Sequence, residues 1–425
     1  MNILLVGAGG REHTLAWKLK QSTRCGNLYI APGNAGTMAF CTNLDIAITD
    51  FEGLAAACKK YLIEMVVVGP EEPLVKGIVD FFKANEETKH IHIIGPALEP
   101  ANLEGSKAYA KSFMKRYNVP TAAYEEFTTE NYQEGIAYIK NHSLPIVLKA
   151  DGLAAGKGVL ICNSHMEALA EFELMILRAK FGEAGKKVVI EAFLKGIEMS
   201  VFALTDGKDY VLLPEAKDYK RVGEGDKGLN TGGMGAVSPL PFFDNVLKEK
   251  VINTIIKPTI DGLFAEKMDY KGFVFFGLMI DNGEPSVIEY NCRMGDPETE
   301  VVIPRLKNDL LELLLAASQQ KLDTVNIYTD ERSTAAVVAV SGGYPGDYEK
   351  GRTIHGVDIC VKDTLIFHAG TKQQHDEIVT NGGRVLVVTS FGKDISSAVQ
   401  QSNEVIEDIY FDGIFSRRDI GYEFI

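Results

Sequence analysis

The sequence predicts an α/β chain that passes into α+β: a parallel, doubly wound sheet at the N-terminus, a mixed middle section with a small lid, and a small strand-rich unit at the C-terminus. Three observations predict this. Short apolar strands first alternate with helical patterns, the rhythm of a parallel sheet covered by helices. Near residue 105 that rhythm breaks, and near Arg332 a new strand-rich stretch begins, with turns at SGGYPGD and TNGGR.

In order, a strand at 2–6 enters a glycine-rich turn and a helix at 13–20, and strands follow at 28–31, 65–68 and 92–94. A helix starts near Ser106 and stops at Asn118-Val119-Pro120, because proline biases its predecessor away from helical geometry. Strands at 146–149 and 187–193 flank a glycine-rich loop and outline the lid. The polar, glycine-rich stretch 218–239 is too long for an idle connection and is expected to be a binding loop. A helical pattern, a β-hairpin turning at Asp281-Asn282-Gly283-Glu284 and an apolar helix at 306–318 follow. The expected domains are 1–105, 106–325 with its lid at about 121–193, and 326–425.

A chain of 425 residues is too long for one ordinary core and implies two to four domains. With 44 basic and 58 acidic side chains the net charge is −14, which disfavours sequence-independent nucleic-acid binding. The six cysteines are scattered without a C-x-x-C pair, so neither a zinc nor a dithiol site is expected from them. The start MNILLVGAGG lacks a basic leader, and no apolar run approaches the roughly 20 residues a bilayer requires. A cytoplasmic monomer with no membrane partner is expected, and the end at Ile425 is read as a stand-alone form.

Gly7-Ala8-Gly9-Gly10-Arg11-Glu12 leaves a strand and opens a helix, where backbone N–H groups can hold a phosphate. A dinucleotide fingerprint needs glycine or alanine where Glu12 stands, and an acidic residue after the second strand where Ala31-Pro32 stands. Binding of NAD is therefore disfavoured. The turn either holds a small phosphorylated metabolite, with Arg11 adding charge, or holds nothing.

Asp151-Gly152-Leu153-Ala154-Ala155-Gly156-Lys157-Gly158 follows a strand carrying Lys149, so two ammonium groups and a glycine loop could close over a polyphosphate. Its spacing is not that of a Walker loop. The strand ending at Glu191-Ala192-Phe193-Leu194 could offer backbone groups to a base edge, with Glu198 beyond it for ribose hydroxyls. Glu289 and Asn291 share one strand face and offer hard oxygen ligands suited to magnesium beside phosphates. Arg293 stands where that strand must end and could clamp a carboxylate or phosphate. His13 and His368 lack partners at catalytic spacing and read as structural, and no nucleophile signature occurs.

Along the chain run GAGGREH, APGNAG, VGPEEPLVKG, EGSKAYAK, KADGLAAGKGV, NTGGMGA, IEYNCRMGDPE and HAGTK. This ordered series, from Met1 to Ile425, resembles the phosphoribosylamine glycine ligases, or glycinamide ribonucleotide synthetases, of the ATP-grasp superfamily. The resemblance implies an ATP-grasp core, with ATP between the lid and a larger antiparallel sheet. It implies that glycine is activated as glycyl phosphate and joined to 5-phosphoribosylamine. It places Lys107, Lys149 and Lys157 at ATP phosphates, Glu191, Phe193 and Leu194 at adenine, Glu198 at ribose, and Mg2+ or Mn2+ on Glu289 and Asn291. Gly9, Gly10, Arg11 and Glu71 would meet phosphoribosylamine from one side, Asp218 and Arg293 from the other, with Lys149, Lys157 and Arg293 catalytic.

The family pattern S-Q-D-H-K-R reads Ala216-Lys217-Asp218-Tyr219-Lys220-Arg221, and G-E-E-A-S reads Gly196-Ile197-Glu198-Met199-Ser200. Asp218 and Glu198 survive, so the roles are kept and the neighbouring contacts are open. The stretch 272–280 has no carboxylate, so a second metal would lean on Glu289 and phosphates. Another purine-pathway ATP-grasp carboxylase or transformylase-type enzyme, an NAD-binding oxidoreductase and a non-catalytic nucleotide sensor are the competing readings.

Overall fold

A computed structural model describes residues 1–153, 158–178 and 180–425. The first strand, Ile3–Gly7, is buried at every position and lies centrally in a parallel sheet, where both faces are covered and a continuous apolar run is required. Leu28–Pro32 and then Thr42–Asn43 extend the sheet on one side, Met65–Val68 and then His92–Pro96 on the other, all parallel. The helix Gly10–Leu19 begins at Gly9, whose N–H donates to Glu12 Oε2 at 2.6 Å. Helix Phe51–Tyr61 is capped by Asp50, which accepts from Gly53 N at 2.9 Å.

This parallel sheet does not end at the first domain. Tyr270 and Lys271 pair antiparallel with Pro96 and Gly95, so the long strand Tyr270–Asp281 joins it to an antiparallel half and makes one nine-stranded sheet. Tyr270–Asp281 also pairs with Ile197–Thr205 and, through the expected hairpin, with Glu284–Asn291. The turn places Asn282 at φ 51° and Gly283 at φ 77°, the left-handed pair a two-residue hairpin needs.

The lid is a four-stranded antiparallel sheet in the order Tyr124–Thr128, Lys187–Ala192, Ile146–Ala150, Val159–Cys162. Helices Tyr132–Asn141 and His165–Ile176 cover it, and Phe127, Ile139, Leu148, Phe172 and Ile190 belong to a core separate from the main one. A body with its own core can move as a unit.

The stretch 218–239 differs from its reading as a loop. Lys217–Asp218 pairs with Gly235–Ser238, which pairs in turn with Ser333–Val340 in a five-stranded sheet completed by Arg384–Gly392 and Thr364–His368, and between the first two strands lies a hairpin, Arg221–Gly223 with Lys227–Asn230. Ser333–Val340 is buried throughout, so it needs partners on both edges, and the middle of the chain supplies one. Among the described residues no helix is long and apolar enough to cross a membrane.

Candidate functional site

The strand Glu284–Asn291 carries the centre of the site. Its pairing slips between Gly277 and Leu278, so that Gly277 faces Glu289, Leu278 faces Val287, and Ile288 is the extra residue of a bulge. A bulge re-aims the groups around it. Here the Ile288 carbonyl accepts from Lys149 Nζ at 3.2 Å. Gly277 gives Glu289 room, since a Cβ there would lie 3.2 Å from Glu289 Cγ.

Glu289 gathers the cations that the sequence pointed to and one that it did not. Burial pushes its carboxyl up, but Lys220, Lys149, Lys107 and Arg293 more than reverse this and hold it below the usual carboxylate range. Lys149 projects from the lid strand Ile146–Ala150, and Lys107 opens the helix Lys107–Arg116 and donates to the Gly152 carbonyl at 3.2 Å. Burial lowers the Lys107 ammonium, against Glu289. Lys157 lies outside the described residues.

Lys220 is the addition. It pairs with Glu198 and lies 4.0 Å from Asp218 Oδ1, and although burial opposes its charge, Asp218, Glu198 and Glu289 raise it well above an ordinary lysine. Glu298 is a second addition, 4 % exposed, with a 3.4 Å hydrogen bond from Ser200 Oγ. Burial first and then the neighbouring Asp218 charge push its carboxyl up to about 8. Both were visible in the runs AKDYKR and RMGDPE, but nothing in their spacing distinguished them from surface charge.

Arg293 is clamped. Its Nη2 donates to Glu104 Oε1 at 2.7 Å and to Asn291 Oδ1 at 3.3 Å, and its Nε donates to Glu71 Oε2 at 3.2 Å. Glu104, buried at the end of helix Leu98–Gly105, also accepts from Cys292 N at 2.8 Å. The run EGSKAYAK contained it without marking it as a partner of Arg293.

The base-reading segment splits in two. Glu191 turns its carboxylate toward Lys111 and Lys149, each 3.0 Å away, whereas Phe193 is 38 % exposed at the strand's end and Leu194 is half-buried.

The glycine turn is arranged for something other than a dinucleotide. Glu12 takes the Gly9 N–H and Arg11 Nε, the latter at 2.6 Å, and lies so close to Gly7 and Gly69 that a Cβ would fall 2.4 and 2.2 Å from its side chain. The side chain that departs from the fingerprint thus takes the Gly9 N–H, where the fingerprint brings backbone to a pyrophosphate. Arg11 Nη1 donates to the Met294 carbonyl at 3.1 Å, which brings Gly9, Gly10 and Arg11 beside the Arg293 segment. Asp296 and the fully buried Glu300 approach Gly9 and Gly10 from that segment.

The donor set fits a divalent ion that retains other ligands. No group of three His, Cys, Asp or Glu side chains among the described residues could hold a metal alone. Glu289, held ionised, and Asn291 supply a carboxylate and an amide oxygen on one face, which suffices when substrate phosphates complete the shell.

Comparison with known proteins agrees along the whole chain. Residues 1–104, 105–299 and 334–423 match family models described as phosphoribosylglycinamide synthetase N domain, ATP-grasp (A) domain and C domain. The chain is 46% identical over 430 residues to a phosphoribosylamine–glycine ligase of Yersinia pestis, covering 100% of this chain and 99% of that protein. The crystal structure of the Thermotoga maritima phosphoribosylamine–glycine ligase superposes with a TM-score of 0.85 at 34% identity, over 99% of this chain and 100% of that one. A biotin carboxylase domain of Hydrogenobacter thermophilus 2-oxoglutarate carboxylase, solved with MgADP and bicarbonate, shares the fold with a TM-score of 0.74 at 16% identity, over 98% and 91% of the two chains.

Proposed function

The chain belongs to the phosphoribosylglycinamide synthetase family, and on that premise we propose how its residues divide the work of an ATP-grasp ligase that forms a C–N bond in purine biosynthesis. The reaction joins glycine to 5-phosphoribosylamine and gives glycinamide ribonucleotide, ADP and phosphate. A carboxylate resists nucleophiles because it is anionic and oxide is a poor leaving group. Transfer of the ATP γ-phosphoryl to a glycine carboxylate oxygen makes glycyl phosphate and removes both faults. The amine of phosphoribosylamine then forms the amide bond as phosphate leaves.

Neither step needs a protein nucleophile, only placement and charge. Lys107 and Lys149, with Lys157, hold the ATP phosphates, the backbone of 191–194 meets adenine, and Glu198 accepts from the ribose. Mg2+ or Mn2+ on Glu289 and Asn291 would neutralise phosphate charge when bound. Arg293, fixed by Glu71 and Glu104, presents its guanidinium to the glycine carboxylate and transferring phosphoryl. Gly9, Gly10, Arg11 and Glu71 on one side and Asp218 and Arg293 on the other hold phosphoribosylamine between the N-terminal unit, 1–105, and the grasp core, 106–325. Closure of the lid over the acyl phosphate keeps water out.

The reading includes a cytoplasmic monomer without a nucleic-acid or membrane partner, supported on the second point by the −14 charge. The observation that carries the whole is Glu289 next to the Ile288 carbonyl that holds Lys149 at 3.2 Å, with Lys220, Lys149, Lys107 and Arg293 offsetting its burial and drawing its carboxyl below the usual range. The test is ADP release from ATP, glycine and freshly prepared phosphoribosylamine. Omission of either partner should stop it, and turnover with formate or bicarbonate in place of glycine would point to another acid.

A further inference from the structure

Directly behind Lys149 lies a buried lysine that the chemistry above does not use. Lys111, on helix Lys107–Arg116, has 2 % of its side chain exposed and lies 3.0 Å from Glu191 Oε2. Glu191 turns its other oxygen to Lys149 Nζ, also at 3.0 Å. Glu191 sits opposite Val147 and Lys149 opposite Val189 on paired lid strands, so the two are diagonal neighbours on one face. Two cations and one carboxylate thus share a nearly dry space, a costly arrangement unless each charge is matched or a ligand supplies the missing one.

The two lysines are held differently. Lys111 Nζ donates to Thr121 Oγ1 at 2.7 Å, Thr121 Oγ1 donates to the Val287 carbonyl at 2.6 Å, and the ammonium lies 5.5 Å above the Tyr124 ring. Burial draws that ammonium down to about 8, although Glu191 opposes the change. Lys149 is held by the Ile288 carbonyl at 3.2 Å, and Glu191 lies 3.0 Å from each of the two ammonium groups. Were the Lys111 charge absent, Glu191 would have Lys149 as its sole close cation among these groups and would draw it into a full ion pair, withdrawing it from any phosphate. With Lys111 present the carboxylate is shared, and Lys149 keeps charge to offer.

We propose that Lys111 is a positioning residue: by sharing and fixing the Glu191 carboxylate it aims Lys149 at the nucleotide phosphates, and through Thr121 it ties that lid strand to the strand bearing Glu289. The inference rests on the reading of Lys149 as a phosphate ligand.

Lys111→Met keeps the stem and removes the charge. Its turnover should fall ~10–100-fold, the range seen when partners that orient ligating groups are removed. Its affinity for a fluorescent ATP analogue should weaken as well. In a Lys149→Ala background the same substitution should cost no further turnover, because the route through Lys149 is already gone. Losses that multiply in the double variant, or a lower melting temperature with unchanged turnover per folded molecule, would overturn the proposal. Nucleotide affinity unchanged by Lys149→Ala would instead bring down the phosphate reading itself. If the Met variant does not fold, Lys111→Gln, which retains a donor for Thr121, is judged by the same outcomes.

Discussion

Arg293 and Glu104, 189 positions apart in the chain, are joined by a 2.7 Å ion pair. The side chain of Glu104 is 5% exposed and that of Arg293 18%. Glu104→Ala would leave Glu71 as the remaining ion-pair partner of the guanidinium and strip the Cys292 N–H of its acceptor. Breaking one half of a buried pair costs about 3–5 kcal/mol, because the remaining charge stays buried without compensation. A shift of that size in urea denaturation should accompany a raised KM for glycine. Glu104→Gln, which still accepts from Cys292, should recover part of the stability and little of the KM. Equal stability of all three proteins would show that the pair does not hold Arg293.

Glu289→Gln preserves shape and removes the charge that Lys220, Lys149, Lys107 and Arg293 surround. Chelation of divalent ions should abolish turnover in the native protein, and added Mg2+ or Mn2+ should restore it. The variant should require about 10-fold more metal or worse, since an amide is a poorer hard-cation ligand than a carboxylate. Titration of Mn2+ in the presence of ATP, read by magnetic resonance, checks this independently of catalysis. An unchanged metal requirement would remove Glu289 from the site.

Local sequence shows some of these residues and hides others. Lys149, Glu289 and Asn291 stand out as candidates in the sequence because each lies on a strand whose period fixes its face, next to a glycine loop or strand end. Glu104, Lys111, Lys220 and Glu298 do not, because each becomes part of the site only through a partner distant in the chain, such as Arg293 for Glu104 or Glu191 for Lys111. The alternation of the first sheet was legible for the same periodic reason. Its continuation through Pro96 and Tyr270, and the use of 218–239 as sheet strands, depend on edges meeting across the chain. Polarity and glycine content in 218–239 describe a hairpin as well as a loop.

His13 and His368 give the protein an acid limit. His13 Nδ1 accepts from the His368 backbone N–H at 2.8 Å, and the two rings lie 5.6 Å apart between the first helix and the C-terminal sheet. Burial, then the nearness of His368, holds His13 down at about 3, and burial holds His368 at about 4. Both folded values are below the unfolded value near 6.5, so below that pH the unfolded chain binds more protons. Their contribution is fully present above about pH 6.5 and is lost as pH falls toward 4 and then 3, by up to ~1.4 kcal/mol per pH unit for each histidine. Denaturation midpoints at pH 7, about 5.5 and about 4.5 should fall in that order. His13→Asn, which can still accept from the backbone N–H, should flatten the slope. An unaltered slope would assign the acid loss to other groups.

Gly196 lies between the segment read as meeting adenine and Glu198, and it sits at φ +132° with its α-carbon pressed against the neighbouring strand. A Cβ there would come 2.1 Å from the Ile280 carbonyl oxygen and 2.6 Å from its carbon, a clash with backbone inside the sheet that no rotamer relieves. The backbone conformation alone costs a residue with a side chain roughly 1–3 kcal/mol, and the clash adds to it. Gly196→Ala should therefore lower the melting temperature, and because the displaced segment includes the ribose acceptor, it should raise the KM for ATP more than that for glycine. The contrast between the two substrates is the discriminating measurement. General unfolding would lower turnover with both KM values unchanged, whereas a local shift at 193–198 would register chiefly in the KM for ATP.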